Sequence, residues 1–183
     1  MEKRRCIFVI IGVFAIVCIL AVSCASASIG SGKEWYDTMS APDDTADYHF
    51  EFGYGTGSTL ITAKKFAEAQ ANSAIAQWIN NSIDTITTTY INDAGSGVNT
   101  QAVQAFEELS KQHASAVLTG VKTIDTHQYE FSDGYAVGVI VQIPIGVVAE
   151  SLKETVEEAF VKNEASEEAN KMMNEAIAKY FGI

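Results

Sequence analysis

Three histidines carry most of the reactivity this chain could bring to catalysis: His49, His113 and His127, spaced 64 and 14 residues apart. No two share a helical turn and no His-Glu-x-x-His element is present, so no metal site is expected. Asp125-Thr126-His127 falls on a predicted strand. Alternation puts Asp125 and His127 on one face, the geometry of an Asp-His dyad, but no Gly-x-Ser-x-Gly elbow supplies a nucleophile. Glu51, Glu130 and Asp125 could pair as carboxylates across a sheet, the arrangement acid-base hydrolysis uses, yet nothing marks them as desolvated. Gly53-Tyr54-Gly55-Thr56-Gly57-Ser58 lies between a strand and a helix, where glycine turns cradle phosphates. Its sixth position is Ser58, and Lys64 and Lys65 come too late for a phosphate-loop lysine. The reading is therefore no catalytic residue, no metal and no cofactor.

The remaining reactive group is the thiol of Cys24. Basic Lys3, Arg4 and Arg5 precede an uncharged run of 17 residues, 6–22, and then comes Ala21-Val22-Ser23-Cys24. This resembles the lipobox of bacterial lipoproteins, with Ala21 where leucine is commonest. The resemblance implies a signal peptide over residues 1–23, cleavage before Cys24 and acylation of its thiol, which makes Cys24 the lipidation site. Two rival readings share these residues. The apolar run lies at the lower limit of what spans a bilayer, roughly 17 to 25 residues. Ala25-Ser26-Ala27 is also an A-x-A site, and cleavage after Ala27 would release a protein without the cysteine. Two or more acyl chains, at about 0.8 kcal/mol per buried methylene, would hold the chain stably in one leaflet where a single chain would not. Ala25 follows the cysteine, whereas aspartate there retains such lipoproteins in the inner membrane. The expected address is therefore the bacterial outer membrane, with the domain facing the periplasm or the cell surface.

Composition bounds the rest. Removal of residues 1–23 leaves 160 residues, one domain by length. Loss of Glu2, Lys3, Arg4 and Arg5 changes the full-chain balance of 12 basic and 23 acidic residues to 9 and 22, a net charge of −13. Such a surface repels nucleic acid, which is not expected as a partner. Cys6 and Cys18 go with the signal, so no disulfide framework is available.

The elements follow from periodicity. Residues 24–47 read as a lipidated cysteine and tether, with small polar residues from Ala25 to Lys33 spanning about 16 Å as flexible coil. Trp35 and Tyr36 are expected to pack on the domain, and Pro42-Asp43-Asp44 to turn. Alternating aromatics from Tyr48 to Tyr54 predict a strand ended by Gly53, Gly55 and Gly57. Ser58 or Thr59 would cap a long helix whose apolar residues from Leu60 to Tyr90 recur every three or four positions. Its alanine-rich first half suits close approach to a sheet, and the β-branched run at 85–89 marks a bend or end. After a break at 92–97, a second helix runs to Thr119. Strands at 121–131 and 135–143 form a hairpin through Ser132-Asp133-Gly134, whose Asp-Gly step would supply a positive backbone angle. Pro144 and Gly146 end the strand. A third helix carries Val148, Leu152 and Phe160, and a fourth, within residues 163–183, carries Met173 and Ile177. Glu158 with Lys162, Glu167 with Lys171 and Glu175 with Lys179 are spaced for helical ion pairs. The fold class is thus α+β: a small antiparallel sheet in β-α-α-β-β-α order, covered by long helices in a single domain.

A lipobox cysteine, a short tether with Trp35-Tyr36 and Pro42, a strand ending in Gly53-Tyr54-Gly55, the helix segment Ala63-Lys64-Lys65-Phe66-Ala67-Glu68-Ala69-Gln70-Ala71, and paired strands about Asp133-Gly134 and residues 139–143 together resemble the LPP-twenty family. These are the twenty-kilodalton membrane-associated bacterial lipoproteins, a family that includes flagellar assembly lipoprotein P. The likeness covers roughly residues 35–152. It implies a β-α-β-β core with added helices over residues 48–162 and no known catalysis, and residues 85–112 depart from it as an insertion.

The leading expectation is a non-enzymatic, lipid-anchored envelope protein, a structural, self-assembly or docking module. Its partners are the bilayer through acylated Cys24, and a second copy or another envelope protein. The alternative is a periplasmic binding module for a small apolar ligand held between sheet and long helix by Trp78, Tyr54 or Phe52. A weak hydrolase using His127 and Asp125 is the third.

Overall fold

The computed structural model describes residues 39–183, without the side chains of Ser115 and Ala116. The expectations for the signal segment, Cys24 and Trp35-Tyr36 lie outside the described residues.

The fold is α+β, a three-stranded antiparallel sheet with four helices in one compact domain. Strand β1 (Tyr48–Gly57) is followed by helix α1 (Leu60–Ala94), helix α2 (Thr100–Val117), strands β2 (Lys122–Phe131) and β3 (Gly134–Pro144), and helices α3 (Ile145–Lys162) and α4 (Glu167–Phe181). Sheet order is β1-β3-β2. The register runs from Tyr48 opposite Pro144 to Gly57 opposite Tyr135, and from Lys122 opposite Gln142 to Phe131 opposite Gly134, with a bulge between Thr123 and Asp125.

β1 continues through the three glycines expected to end it. They belong to its odd-numbered face, which α1 covers at very short range. A Cβ on Gly53 would lie 2.1 Å from the Ala67 carbonyl oxygen and 2.6 Å from the Ala71 nitrogen. On Gly55 it would lie 2.4 Å from the Ala63 oxygen. Only hydrogen fits there, and the helix answers with Ala63, Ala67 and Ala71, all fully buried. Gln70 reaches from α1 to accept the Tyr54 N–H at 2.7 Å, occupying part of the outer edge of β1.

α1 starts where its cap predicts: the extended Thr59 accepts the Thr62 N–H through its hydroxyl at 3.2 Å. The threonine run does not end it. Thr85, Thr88 and Thr89 donate to carbonyls one turn back, at 2.8, 2.8 and 3.0 Å, while Ile83, Ile86 and Tyr90 are buried between them. Burial of that face outweighs the weak propensity of β-branched residues, and the helix runs 35 residues to Ala94.

The hairpin forms where expected, but its turn is made differently. Among the described residues, positive backbone φ occurs only at Gly95, Gly182 and Glu164, so neither Asp133 nor Gly134 uses it. Gly134 is small for another reason: a Cβ there would meet the Gly57 carbonyl oxygen at 2.7 Å. The entry turn is also displaced from 42–44. Thr45 N–H donates to Tyr48 O at 3.0 Å and Tyr48 N–H to the Thr45 hydroxyl at 3.0 Å, and the bend falls at Ala46 and Asp47. Gly146 lies inside the first turn of α3, not in a break after β3.

The later part of α1 joins α2, α3 and α4 around Tyr90, Phe106, Phe160, Met173 and Ile177, all essentially fully buried. Asn99 ties this bundle at one end, accepting Ala102 N–H at 3.0 Å and donating to Asn163 O at 3.2 Å. At the other end the Ser82 hydroxyl donates to Trp78 O at 2.9 Å and hydrogen-bonds with the Tyr180 hydroxyl at 3.1 Å.

Alanine at Gly53 or Gly55 forces the two backbones apart, and the expected cost is about 3 kcal/mol or more, the upper range of overpacking. Alanine at Gly97, where a Cβ meets nothing within 4 Å, should change stability by no more than about 1 kcal/mol. Urea unfolding of the variants beside the native chain measures both.

Candidate functional site

A cluster of ionisable groups gathers around a histidine that the sequence had marked only as unfit for a metal site. His49 stands near the start of β1 opposite Ile143, on the face that α1 covers, and is 7% exposed. Its ring stacks on Trp78 of α1 with centroids 4.0 Å apart and planes 9° apart, and Trp78 meets Phe181 of α4 edge-on at 6.0 Å. Nδ1 lies 2.7 Å from Asp44 Oδ2 and Nε2 lies 3.2 Å from Glu51 Oε1. The second oxygen of Asp44 accepts the Phe50 N–H at 3.2 Å. A neutral imidazole carries one N–H, so both carboxylates receive a hydrogen bond only when the ring is protonated. With both nitrogens facing carboxylates, the ring has none left to serve as a general base. The visible signal in the sequence is His-x-Glu on a strand, which alternation puts on one face. Asp44 and Trp78 required the tertiary structure.

Asp125 and His127 do share a face, opposite Ile140 and Gly138, and His127 Nε2 lies 3.1 Å from Asp125 Oδ2. Both side chains are more than half exposed, on a strand whose residues are all exposed except Phe131. In that setting an ion pair contributes about 0 to 1 kcal/mol. Asp125 also accepts the Thr126 N–H at 2.8 Å. His113 donates from Nδ1 to the Thr155 hydroxyl at 3.1 Å, which itself donates to Ser151 O at 2.8 Å.

The carboxylates singled out by sequence are not brought together. Glu51 pairs with His49, Glu130 accepts from the Tyr135 hydroxyl at 3.2 Å, and Asp125 stands on the opposite sheet face. The three candidate ligand aromatics are likewise divided. Trp78 packs on His49 beneath the helix, whereas Phe52 and Tyr54 alternate with the glycines and so belong to the face α1 does not cover. The backbone contact at Gly53 and Gly55 leaves no room for a ligand between sheet and helix there. An open cleft of about 530 Å³ lies elsewhere, among Ser96, Asn99, Thr100 and Ser166.

Of the three expected helical ion pairs, Glu158 with Lys162 forms, and Lys162 holds the Glu158 carboxyl below the usual carboxylate range by hydrogen bond and charge. Lys171 turns to Glu175 at 3.7 Å instead of to Glu167, which leaves the expected pair of Glu175 with Lys179 unformed. Among the described residues no group of three or more His, Cys, Asp or Glu side chains is arranged to hold a metal ion. No described helix is long and apolar enough to cross a membrane.

Comparison with protein-family models, with curated proteins and with solved structures finds no match to this chain.

The charge of Glu130 raises the ionisation of the Tyr135 hydroxyl above the ordinary tyrosine value, with their hydrogen bond adding to the effect. A raised tyrosine pKa favours the neutral form in the fold, so the contact is intact at neutral pH and lost as pH rises through the folded value. Glu130→Gln removes the charge and should bring the Tyr135 titration back toward the ordinary value. Ring-carbon NMR of labelled tyrosine across the alkaline range measures this.

Proposed function

We propose that the chain is a lipid-anchored bacterial envelope lipoprotein of the LPP-twenty kind, held in the outer membrane by acylated Cys24. Its folded part serves as a non-enzymatic structural, self-assembly or docking module. The observation that carries this reading is the order of Lys3, Arg4 and Arg5, the uncharged run 6–22, and Ala21-Val22-Ser23-Cys24. A cysteine placed so, at the end of an apolar run with small residues before it, has the chemistry of an acyl acceptor at a membrane surface. The domain supports it indirectly. Each histidine is engaged by a neighbour: His49 by Asp44 and Glu51, His113 by Thr155, His127 by Asp125. The contacts of His49 with Asp44 and of His113 with Thr155 tie separate segments of the fold together, which is work suited to a structural module.

The test is intact-mass analysis of the mature chain purified from membranes, beside Cys24→Ser. The expected native product begins at Cys24 and carries the added mass of two or three acyl chains. Cys24→Ser should lose all of that mass and leave the lipid-anchored fraction. A native chain beginning at Ser28 and recovered from the soluble periplasm overturns the proposal.

A further inference from the structure

The cluster around His49 joins three separate parts of the fold: the entry segment through Asp44, the sheet through Glu51, and the helical layer through Trp78 and Phe181. We infer that His49 is a proton-operated clasp that holds Asp44 against β1 when its ring is protonated and lets it go when it is not. The inference stands apart from the anchoring proposal, since it concerns only described residues.

The argument is a count of donors. The protonated ring has two N–H groups and faces two carboxylate oxygens, at 2.7 and 3.2 Å. Burial of the ring opposes the charge, and the two carboxylates offset that cost with charge-assisted hydrogen bonds. Loss of the proton leaves one nitrogen lone pair facing a carboxylate oxygen, so one contact becomes repulsive. The two carboxylates differ in freedom to respond. Glu51 is fixed within β1, and its side chain is 29% exposed. Asp44 is 48% exposed on a segment outside regular secondary structure, so it is the partner that swings into water.

Asp44 also accepts the Phe50 N–H, so its departure frees that amide on the outer edge of β1, while Thr45 stays tied to Tyr48 and Asp47 O keeps the Ile145 N–H at 2.9 Å. From the elements packed against it, Trp78 of α1, with Phe181 of α4 behind it, and Ile143 across on β3 do not titrate. Among the described residues, Asp44 and Glu51 are the ionisable groups within ion-pair distance of the ring.

The test uses the full chain carrying Trp35→Phe, which leaves Trp78 as its one indole. A protonated imidazole stacked on indole quenches its emission, so Trp78 fluorescence should rise as the buffer is taken from acid to mildly alkaline pH. In the same range, protection of the Phe50 amide from hydrogen exchange, corrected for intrinsic rate, should fall about tenfold, as loss of one hydrogen bond to a charged group implies. His49→Gln should abolish the fluorescence change. Asp44→Asn keeps the side-chain volume and leaves His49 in place, and should give low Phe50 protection at every pH. Fluorescence flat with pH, a fluorescence change that survives His49→Gln, or Phe50 protection that neither pH nor Asp44→Asn alters overturns the inference.

Discussion

The backbone of α1 rests on the backbone of β1 with only hydrogen between them at Gly53 and Gly55. Everything else in the sheet half follows from that contact. It requires alanine at Ala63, Ala67 and Ala71, because larger side chains would lift the helix. It sets an antiparallel course in which Gly57 meets the beginning of α1 and His49 meets Trp78, two turns beyond Ala71. It also confines α1 to one face above β1 and β3, so β2 extends past the helical layer and is exposed on both sides. The apolar residues of β3 divide accordingly, with Val137, Val139, Val141 and Ile143 buried beneath the helix.

The electrostatics of the domain are local. The chain carries about twice as many acids as bases, yet its resolved perturbations are contacts between near neighbours: Glu158 with Lys162 one turn apart, and Tyr135 with Glu130 across the hairpin. Both pairs are solvent-facing, where water screens them. His49 differs because it is buried and draws on residues from two segments, so its state is coupled to where the chain runs.

Much of this was legible in the amino acids. The 3.6-residue pattern from Leu60 to Tyr90, the alternation in β1 and β3, and the Asp133-Gly134 step located the helices, strands and hairpin. What the pattern misjudged were places where packing overrides local preference. Glycines read as strand breakers because they lack side chains, and that lack is what lets a helix press on them. Threonines 85, 88 and 89 read as a weak point because propensity ignores both the backward hydroxyl bonds and the burial of Ile83, Ile86 and Tyr90. Gly134 read as a source of unusual torsion, whereas it is small to clear Gly57. The site was least legible of all. Asp44, His49, Glu51 and Trp78 span 35 positions, and no spacing rule joins an entry segment, a strand and a mid-helix tryptophan.

At 35 residues, α1 is about 52 Å long, while the strands beside it span roughly 35 Å. The excess is the mast on which α2, α3 and α4 are hung. Because the sheet grips one end of this rod and the bundle grips the other, the number of residues between Ala71 and Ser82 acts as a phase setting. One residue more or fewer would turn the bundle by about 100° and shift it by about 1.5 Å relative to the sheet. The exposed positions of the stretch can thus change far more freely than its count, while Ile75, Trp78 and Ile79 stay packed, and the helix keeps the two halves in step the way a crankshaft keeps pistons in step.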